Sequence, residues 1–240
     1  MVTKVNGNSI QKTARIAGSL YLILAVCGGF AEFAVRQGMI VPGDAAGTAS
    51  KILASEALFR LGVVSELIGQ VVFIVLVLAL YRLLKSVNRS QAVLMVIFVI
   101  VAVTITCLNM LNQFAALPLL NGAGYLSVFD AGQMQALALY FLNLHKAGYM
   151  IAQVFFGLWL LPLGYLVYKS GFMPKLVGIL LMVACFGYLI DVVTFFLVPG
   201  FQLVISEFTF VGELLLMFWL LVKGVNVKQW EKRELQSAVA

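Results

Sequence analysis

Long apolar runs with almost no charge recur along this chain, and they constrain its fold more than any other feature. Five runs, and a sixth that is slightly interrupted, approach the roughly 20 apolar residues that a helix needs to cross the core of a bilayer. The spans lie at about 16–35, 58–84, 92–111, 147–167, 175–198 and 203–222. Hydrophobic residues make up 62% of the 240 residues and charged residues only 11%, which is unlike a soluble domain. The sequence therefore predicts an all-α polytopic membrane protein, a bundle of six transmembrane helices forming a single domain over residues 1–240.

The distribution of basic residues predicts the orientation of these spans. Twelve of the 16 lysines and arginines fall on one side of the membrane if the N-terminus is cytoplasmic, as the positive-inside rule requires. Lys4, Lys12 and Arg15, ahead of the first span, are among them. We expect both termini to be cytoplasmic and the protein to lie in the plasma (inner) membrane. The net charge of +6 then reflects this asymmetry and contact with membrane lipids, and it does not call for nucleic acid as a partner.

Two longer connections fall on the opposite, extracytoplasmic side, and both carry helix-starting signals. Asp44 follows Pro42-Gly43 and precedes a helix-forming run, so it is expected to cap a helix that leads into the second span. Asp130 and Gln133 have the spacing of a capping pair at the start of a helix that feeds the fourth span. The sequence thus predicts two extracytoplasmic helical connections.

Ionisable and polar residues inside the spans are the candidate functional residues, because burying them in a bilayer is costly. In the predicted orientation the ionisable ones lie in the outer half of the membrane or near its midplane. This shared depth predicts one polar cavity that opens to the extracytoplasmic side. The candidate ligand-binding residues are Glu32, Arg60, Glu66, His145, Lys146, Tyr149, Gln153, Asp191 and Glu213.

Helical spacing groups several of these candidates on common faces. The chain's single histidine, His145, recurs with Tyr149 and Gln153 at intervals of four residues, and Lys146 falls within the same arc. Glu66 lies between two glycines whose spacing would let a neighbouring helix approach closely.

Two carboxylates can form ion pairs along their own helices. Glu32 can pair with Arg36 and Glu56 with Arg60, each four residues apart. Asn109 is expected to hydrogen-bond between helices.

Acids outnumber bases among the intramembrane residues. The imbalance can be met by protonated carboxyls, by a bound cation or metal, or by a cationic ligand, and the sequence leaves these open. The acids are Glu32, Glu66, Asp191, Glu207 and Glu213, against the bases Arg36, Arg60, Lys146 and the single His145.

Motifs for catalysis or cofactor binding are absent from the sequence. It has no CxxC, no P-loop, no GxGxxG after a strand and no HExxH, and the three cysteines fall in different spans. Catalytic residues, metal ligands and cofactors are therefore left unassigned.

Several short stretches resemble a bacterial membrane-protein family catalogued only as a domain of unknown function, the DUF4386 type. They include Phe59-Arg-Leu-Gly62, His145-Lys-Ala-Gly-Tyr149, Tyr188-Leu-Ile-Asp191 and Gly212-Glu213. The resemblance spans nearly the whole chain. It implies a multi-helix membrane protein and supplies no activity.

The sequence favours a protein that binds or transports a small ligand, which would be a cation, a proton-coupled solute or a lipid headgroup. One alternative is a structural or sensory accessory protein whose polar residues only fix helix packing. A lipid-modifying enzyme that uses His145 has less support, because the sequence shows no nucleophile–base pair.

Overall fold

The computed structural model describes residues 7–198, 200–201 and 203–239, and these residues form helices and connecting turns without any strand. Lys4, for which we predict a cytoplasmic position, lies outside them. The helices in chain order are α1 (Gly7–Gly29), α2 (Gln37–Met39), α3 (Ala45–Ala54), α4 (Glu56–Leu84), α5 (Arg89–Leu120), α6 (Ala131–Leu158), α7 (Leu160–Ser170), α8 (Lys175–Leu197), α9 (Ser206–Thr209), α10 (Val211–Val222) and α11 (Val227–Val239). The predicted all-helical fold is confirmed.

Five helical stretches are each long and apolar enough to cross a membrane. They are Asn8–Met39, Glu56–Leu84, Arg89–Leu120, Ala131–Ser170 and Lys175–Leu197. A sixth span is present if Ser206–Val222 and Val227–Ser237 are taken together, although the chain bends by 103° between them. The predicted number of six spans is therefore approximate.

The chain divides into two compact units, which are described separately. Unit 1 comprises the chain up to Leu22, Val72–Val103 and the chain from Ala152 onward. Unit 2 comprises Ile23–Val71 and Thr104–Ile151. The assignment of residues 1–240 to one transmembrane domain stays a prediction.

A segment of π-helix continues α1 in unit 2, over Phe30–Arg36. The Ser65 hydroxyl of α4 donates to the Cys27 carbonyl oxygen at 3.1 Å, immediately before this segment. In an α-helix that carbonyl would accept from the N–H of Ala31. The Ser65 side chain therefore competes with the helix's own backbone hydrogen bonds where the π-helix begins. The π-helix matters for the site because it carries both Glu32 and Arg36.

Close packing in unit 2 joins this π-helix to α4. A Cβ on Gly62 would lie 2.7 Å from a methyl group of Val35, so only glycine allows the observed approach. The sequence predicted a close helix contact at this glycine. The buried core around the contact contains Val35, Met39, Ile52, Phe59, Val63, Met110, Ala116, Leu117, Leu119, Ala138 and Leu142.

Both predicted helix starts are confirmed in unit 2. The Asp44 side chain accepts from the Gly47 N–H at 2.8 Å and caps α3. At the start of α6, the Gln133 N–H donates to Asp130 Oδ1 at 2.8 Å, and the Asp130 N–H donates to Gln133 Oε1 at 3.0 Å. This reciprocal pair is a capping box.

Unit 1 is held by close helix packing and an aromatic cluster. Helices α7 and α8 approach so closely that a Cβ on Gly164 would lie 2.6 Å from the Gly178 carbonyl oxygen. The buried Trp159 ring packs edge-on against Phe73 at 5.0 Å between centroids and lies 6.2 Å from the Tyr21 ring. Tyr21 thereby takes a fixed position, and its hydroxyl belongs to one of the polar groups described next.

Candidate functional site

The most buried ion pair in the described chain joins the π-helix to α4 within unit 2. Arg36 donates from Nε to Glu32 Oε2 at 2.7 Å and from Nη1 to Glu66 Oε2 at 2.6 Å. The Glu66 side chain is only 5% exposed and that of Arg36 14%, whereas Glu32 is 42% exposed. One guanidinium therefore serves two carboxylates, one of them in the protein interior.

Helix α6 adds an aromatic ring and an imidazole to this arrangement. The Arg36 guanidinium lies over the Tyr149 ring, 5.7 Å from its centroid, in cation–π geometry. His145, one turn earlier on α6, is 3% exposed and within electrostatic range of Arg36 and Glu32. Its Nε2 has no hydrogen-bond partner among residues 7–198, 200–201 and 203–239. We call Glu32, Arg36, Glu66, His145 and Tyr149 the Arg36 cluster.

Helix α5 positions the backbone of α6 beside the cluster. The Asn109 side-chain amide donates to the His145 carbonyl oxygen at 2.7 Å, which confirms Asn109 as an interhelical partner. A Cβ on Gly148 would collide with the Asn109 side-chain oxygen, so glycine is required three residues after the histidine. The histidine is thus held through its backbone, while its Nε2 has no hydrogen-bond partner within the described residues.

Further buried polar atoms of unit 2 also lack partners. Gln113, one turn beyond Asn109 on α5, is 1% exposed, and within the part of the chain that the structure describes neither its amide nitrogen nor its oxygen is hydrogen-bonded. Gln70 Oε1 is also buried and has no hydrogen-bond partner among the described residues. Each unsatisfied buried group costs about 1–3 kcal/mol, so such atoms call for an occupant that bonds to them.

Two of the predicted site residues of unit 2, Arg60 and Lys146, are not part of the Arg36 cluster. Arg60 pairs with Glu56, with 2.7 Å from Nε to Oε1, as the four-residue spacing predicts, and lies over the Phe114 ring. The Lys146 side chain is exposed, although its neighbour His145 is buried.

The remaining predicted residues, Gln153, Asp191 and Glu213, belong to unit 1. The two acids among them have different hydrogen-bond partners. Glu213 of α10 accepts from the Tyr21 hydroxyl at 2.6 Å and from the Tyr188 hydroxyl at 2.9 Å. Gln153 is 5% exposed on α6.

Asp191 of α8 caps the start of α9. Its two oxygens accept from the N–H groups of Ile205 and Ser206 at 2.6 and 2.9 Å. Both oxygens therefore already have protein donors. The expectation that all nine candidate residues line one cavity stays a prediction.

Arg36 and Tyr21 are not among the site residues predicted from the sequence, although Arg36 lies at the centre of its cluster. The four-residue spacing to Glu32 predicts one of its partners, but nothing in the sequence indicates that Arg36 pairs with Glu66, 30 residues away on α4. Tyr21 meets Glu213 across 192 residues, and nothing in the sequence around it indicates that contact.

Within the described residues, no group of three or more histidine, cysteine, aspartate or glutamate side chains could hold a metal ion. The Arg36 cluster has two carboxylates and one imidazole, but a guanidinium separates the carboxylates. Its geometry suits hydrogen bonding and charge pairing.

These features define the class of the protein as a multi-pass, all-helical membrane protein with polar groups buried inside its helical units. Residues 16–224 match the family described as a domain of unknown function, DUF4386, and the chain belongs to that family. An uncharacterized protein of Archaeoglobus fulgidus is 35% identical over 153 residues, which cover 63% of this chain and 76% of that protein. No solved structure matches the chain.

Proposed function

We propose that this protein binds a small cation, or a solute carried together with a proton, at the Arg36 cluster, and that the site opens to the extracytoplasmic side of the plasma membrane. The observation that carries the proposal is the sharing of one guanidinium by Glu32 and Glu66. Two carboxylates with one cation leave the cluster one positive charge short. A cationic ligand would supply that charge beside Glu32, whose side chain is 42% exposed and within reach of an incoming ligand.

The unpartnered atoms beside the cluster support the same proposal. A neutral imidazole nitrogen can donate or accept a hydrogen bond, so His145 Nε2 could bond to a polar group of the ligand or to its water. The Tyr149 ring face adds a surface that attracts cations, although Arg36 already lies over it. Ligand binding would thus satisfy groups that the protein alone leaves unsatisfied.

Thermal unfolding of the purified full chain in detergent tests the binding step. We would add the chlorides of ammonium, methylammonium, tetramethylammonium and guanidinium, with sodium chloride at equal ionic strength as reference. A cation present at 100 times its Kd stabilises the folded state by about 2.7 kcal/mol. We expect at least one to raise the melting temperature of the wild type and not that of Glu66→Gln. Glu56→Gln is the matched control, because Glu56 also pairs with an arginine in unit 2 but is far more exposed.

Two outcomes of that experiment would count against the proposal. One is that no cation exceeds the sodium chloride reference. The other is that Glu66→Gln responds as strongly as the wild type. If Glu66→Gln only unfolds at lower temperature and no cation acts, the structural or sensory alternative is favoured.

Cysteine labelling tests the predicted side of access. In a background where Cys27, Cys107 and Cys185 are replaced by alanine, Glu66→Cys should react with a charged, membrane-impermeant thiol reagent added outside intact cells. Val71→Cys, on the same helix and 63% exposed on its apolar surface, should not react because lipid covers it. Labelling of Glu66→Cys only in inverted vesicles would place the opening on the cytoplasmic side.

The enzyme alternative predicts altered lipids. If replacing His145 by alanine left the membrane lipid composition unchanged, a lipid-modifying activity through that residue would be contradicted. Within the described residues, His145 Nε2 has no hydrogen-bond partner, so it forms no nucleophile–base pair there. The binding function therefore has the better support.

A further inference from the structure

The C-terminal helix α11 docks onto the end of α4 within unit 1. Trp230 is 3% exposed and donates from Nε1 to the Leu83 carbonyl oxygen at 3.0 Å. That carbonyl is one of the last four of α4, which have no partner inside their own helix. The tryptophan thereby fixes α11 beside the connection between α4 and α5.

A groove of about 700 Å³ lies between α11 and that connection. Its lining includes three basic residues, Lys85, Arg89 and Arg233. None of the three forms an ion pair with another residue in the described part of the chain. The groove therefore presents positive charge that forms no ion pair with any carboxylate of the described residues.

Two polar atoms in the groove are buried and lack partners. Ser86 is 8% exposed, and its hydroxyl oxygen has no hydrogen-bond partner within residues 7–198, 200–201 and 203–239. Oε2 of Glu234 is likewise without a partner over the same residues. A buried hydroxyl and a buried carboxylate oxygen left unsatisfied inside a basic groove indicate a ligand with both acceptor and donor groups.

The start of α5 contributes a further anion-binding feature. Asn88, which also lines the groove, caps the helix by accepting from the Gln91 N–H at 3.0 Å. The first N–H groups of this 32-residue helix have no partners inside it, and they attract negative charge.

We propose that this groove binds the headgroup of a phospholipid, with the phosphate at Lys85, Ser86, Arg89 and Arg233 and an N–H or O–H donor of the headgroup at Glu234. The phosphate supplies acceptors for the basic side chains and the serine hydroxyl. The donor satisfies the carboxylate oxygen, so headgroups of ethanolamine or glycerol fit and choline, which has no donor, does not.

The position of the groove favours a lipid over free phosphate. It lies where α4 ends at Leu84 and α5 begins at Arg89, and both helices are long and apolar enough to cross a membrane. Their 29 and 32 residues would extend about 43 and 48 Å at ~1.5 Å per residue, which exceeds the ~30 Å hydrocarbon core. The ends of such helices reach the level of the lipid headgroups.

Binding of dioctanoyl phospholipids to the full chain in maltoside micelles tests the proposal. We expect phosphatidylglycerol and phosphatidylethanolamine to bind at least tenfold more tightly than phosphatidylcholine, since one hydrogen bond to a carboxylate is lost with choline. Removing both arginines, Arg89→Gln with Arg233→Gln, should weaken phosphatidylglycerol binding roughly 25-fold, about fivefold for each charge. Ser86→Ala should weaken all bound headgroups about fivefold, and Glu234→Ala should abolish the preference against choline.

A second basic groove in unit 1 provides the matched control. Lys12 and Arg15 line it, and Lys12→Gln with Arg15→Gln also removes two positive charges. If this variant lost as much lipid affinity as the arginine pair of the α11 groove, general surface attraction would explain the binding and the proposed site would be wrong. Inorganic phosphate or glycerol 3-phosphate binding as tightly as the lipids would overturn the lipid assignment. The Arg36 cluster takes no part in this assay, so the two proposals succeed or fail separately.

Discussion

The ion pair between Arg36 and Glu66 gives the sharpest test of how unit 2 holds its buried charge. Replacing Arg36 with methionine keeps most of the side-chain volume and leaves Glu66, whose side chain is 5% exposed, without its cation. Breaking a buried pair by removing one partner typically costs 3–5 kcal/mol, so we expect Arg36→Met to lower the free energy of unfolding by about 4 kcal/mol. Glu32 adds little to this loss because its side chain is 42% exposed and solvent can reach it.

The double variant Arg36→Met/Glu66→Met separates the pair from its parts. With both charges gone no buried charge is left unbalanced, and apolar replacements of buried pairs are often close to neutral. We expect it to recover most of the stability lost in Arg36→Met, with a coupling of roughly 2–3 kcal/mol between the two positions.

Equilibrium unfolding in mixed micelles, followed by circular dichroism, would measure these differences. The control is the same cycle on Glu56 and Arg60, which also form an ion pair in unit 2 but with side chains 31% and 49% exposed. Both the single and the double control variants should unfold close to the wild type.

An Arg36→Met variant no less stable than the Arg60→Met control would contradict a buried ion pair. A double variant as unstable as the sum of its two single replacements would contradict it as well. Either result would mean that Glu66 does not depend on Arg36 for its counter-charge.

Two further changes test packing and capping in unit 1 by the same unfolding measurement. Asp191→Ala leaves two partly buried backbone N–H groups without their acceptor, and we expect the free energy of unfolding to fall by about 2 kcal/mol. An unchanged stability would mean that water replaces the carboxylate. Gly164→Ala places a Cβ 2.6 Å from the Gly178 carbonyl oxygen and should destabilise α7 against α8. Its control is Gly28→Ala in unit 2, where the added Cβ would meet no side chain or neighbouring helix within 4 Å, and that change should be neutral or stabilising by up to ~1 kcal/mol. Equal effects of the two glycine changes would contradict the close packing.

Local features of the fold could be read from the sequence with few errors. The capping box of Asp130 and Gln133 and the ion pair of Glu32 and Arg36 both form as their spacing predicts. Each joins residues three or four apart, so the geometry of one helix is sufficient to bring them together. The π-helix at Phe30–Arg36 was not predicted, because it depends on a hydroxyl from another helix, Ser65.

The candidate site was only partly predictable. Burial cost singled out Glu66 and Glu213 as residues that need partners, but it did not say which ones. The partner of Glu66 turned out to be Arg36, whereas Glu213 bonds to two tyrosines. Asp191 met the same criterion, and its oxygens cap the start of α9.

The sequence by itself determined the helical class of the protein, the approximate spans and the contacts within single helices. These follow from hydropathy and from side-chain spacing along one element. Only the tertiary structure decided that Arg36 meets Glu66 and that α11 closes a groove beside Arg89. The physical reason is that a membrane helix can be apolar on every side, because lipid and protein neighbours are equally apolar. Periodicity then does not show which face points inward, and helix rotation is set by close contacts such as that of Gly62 with Val35.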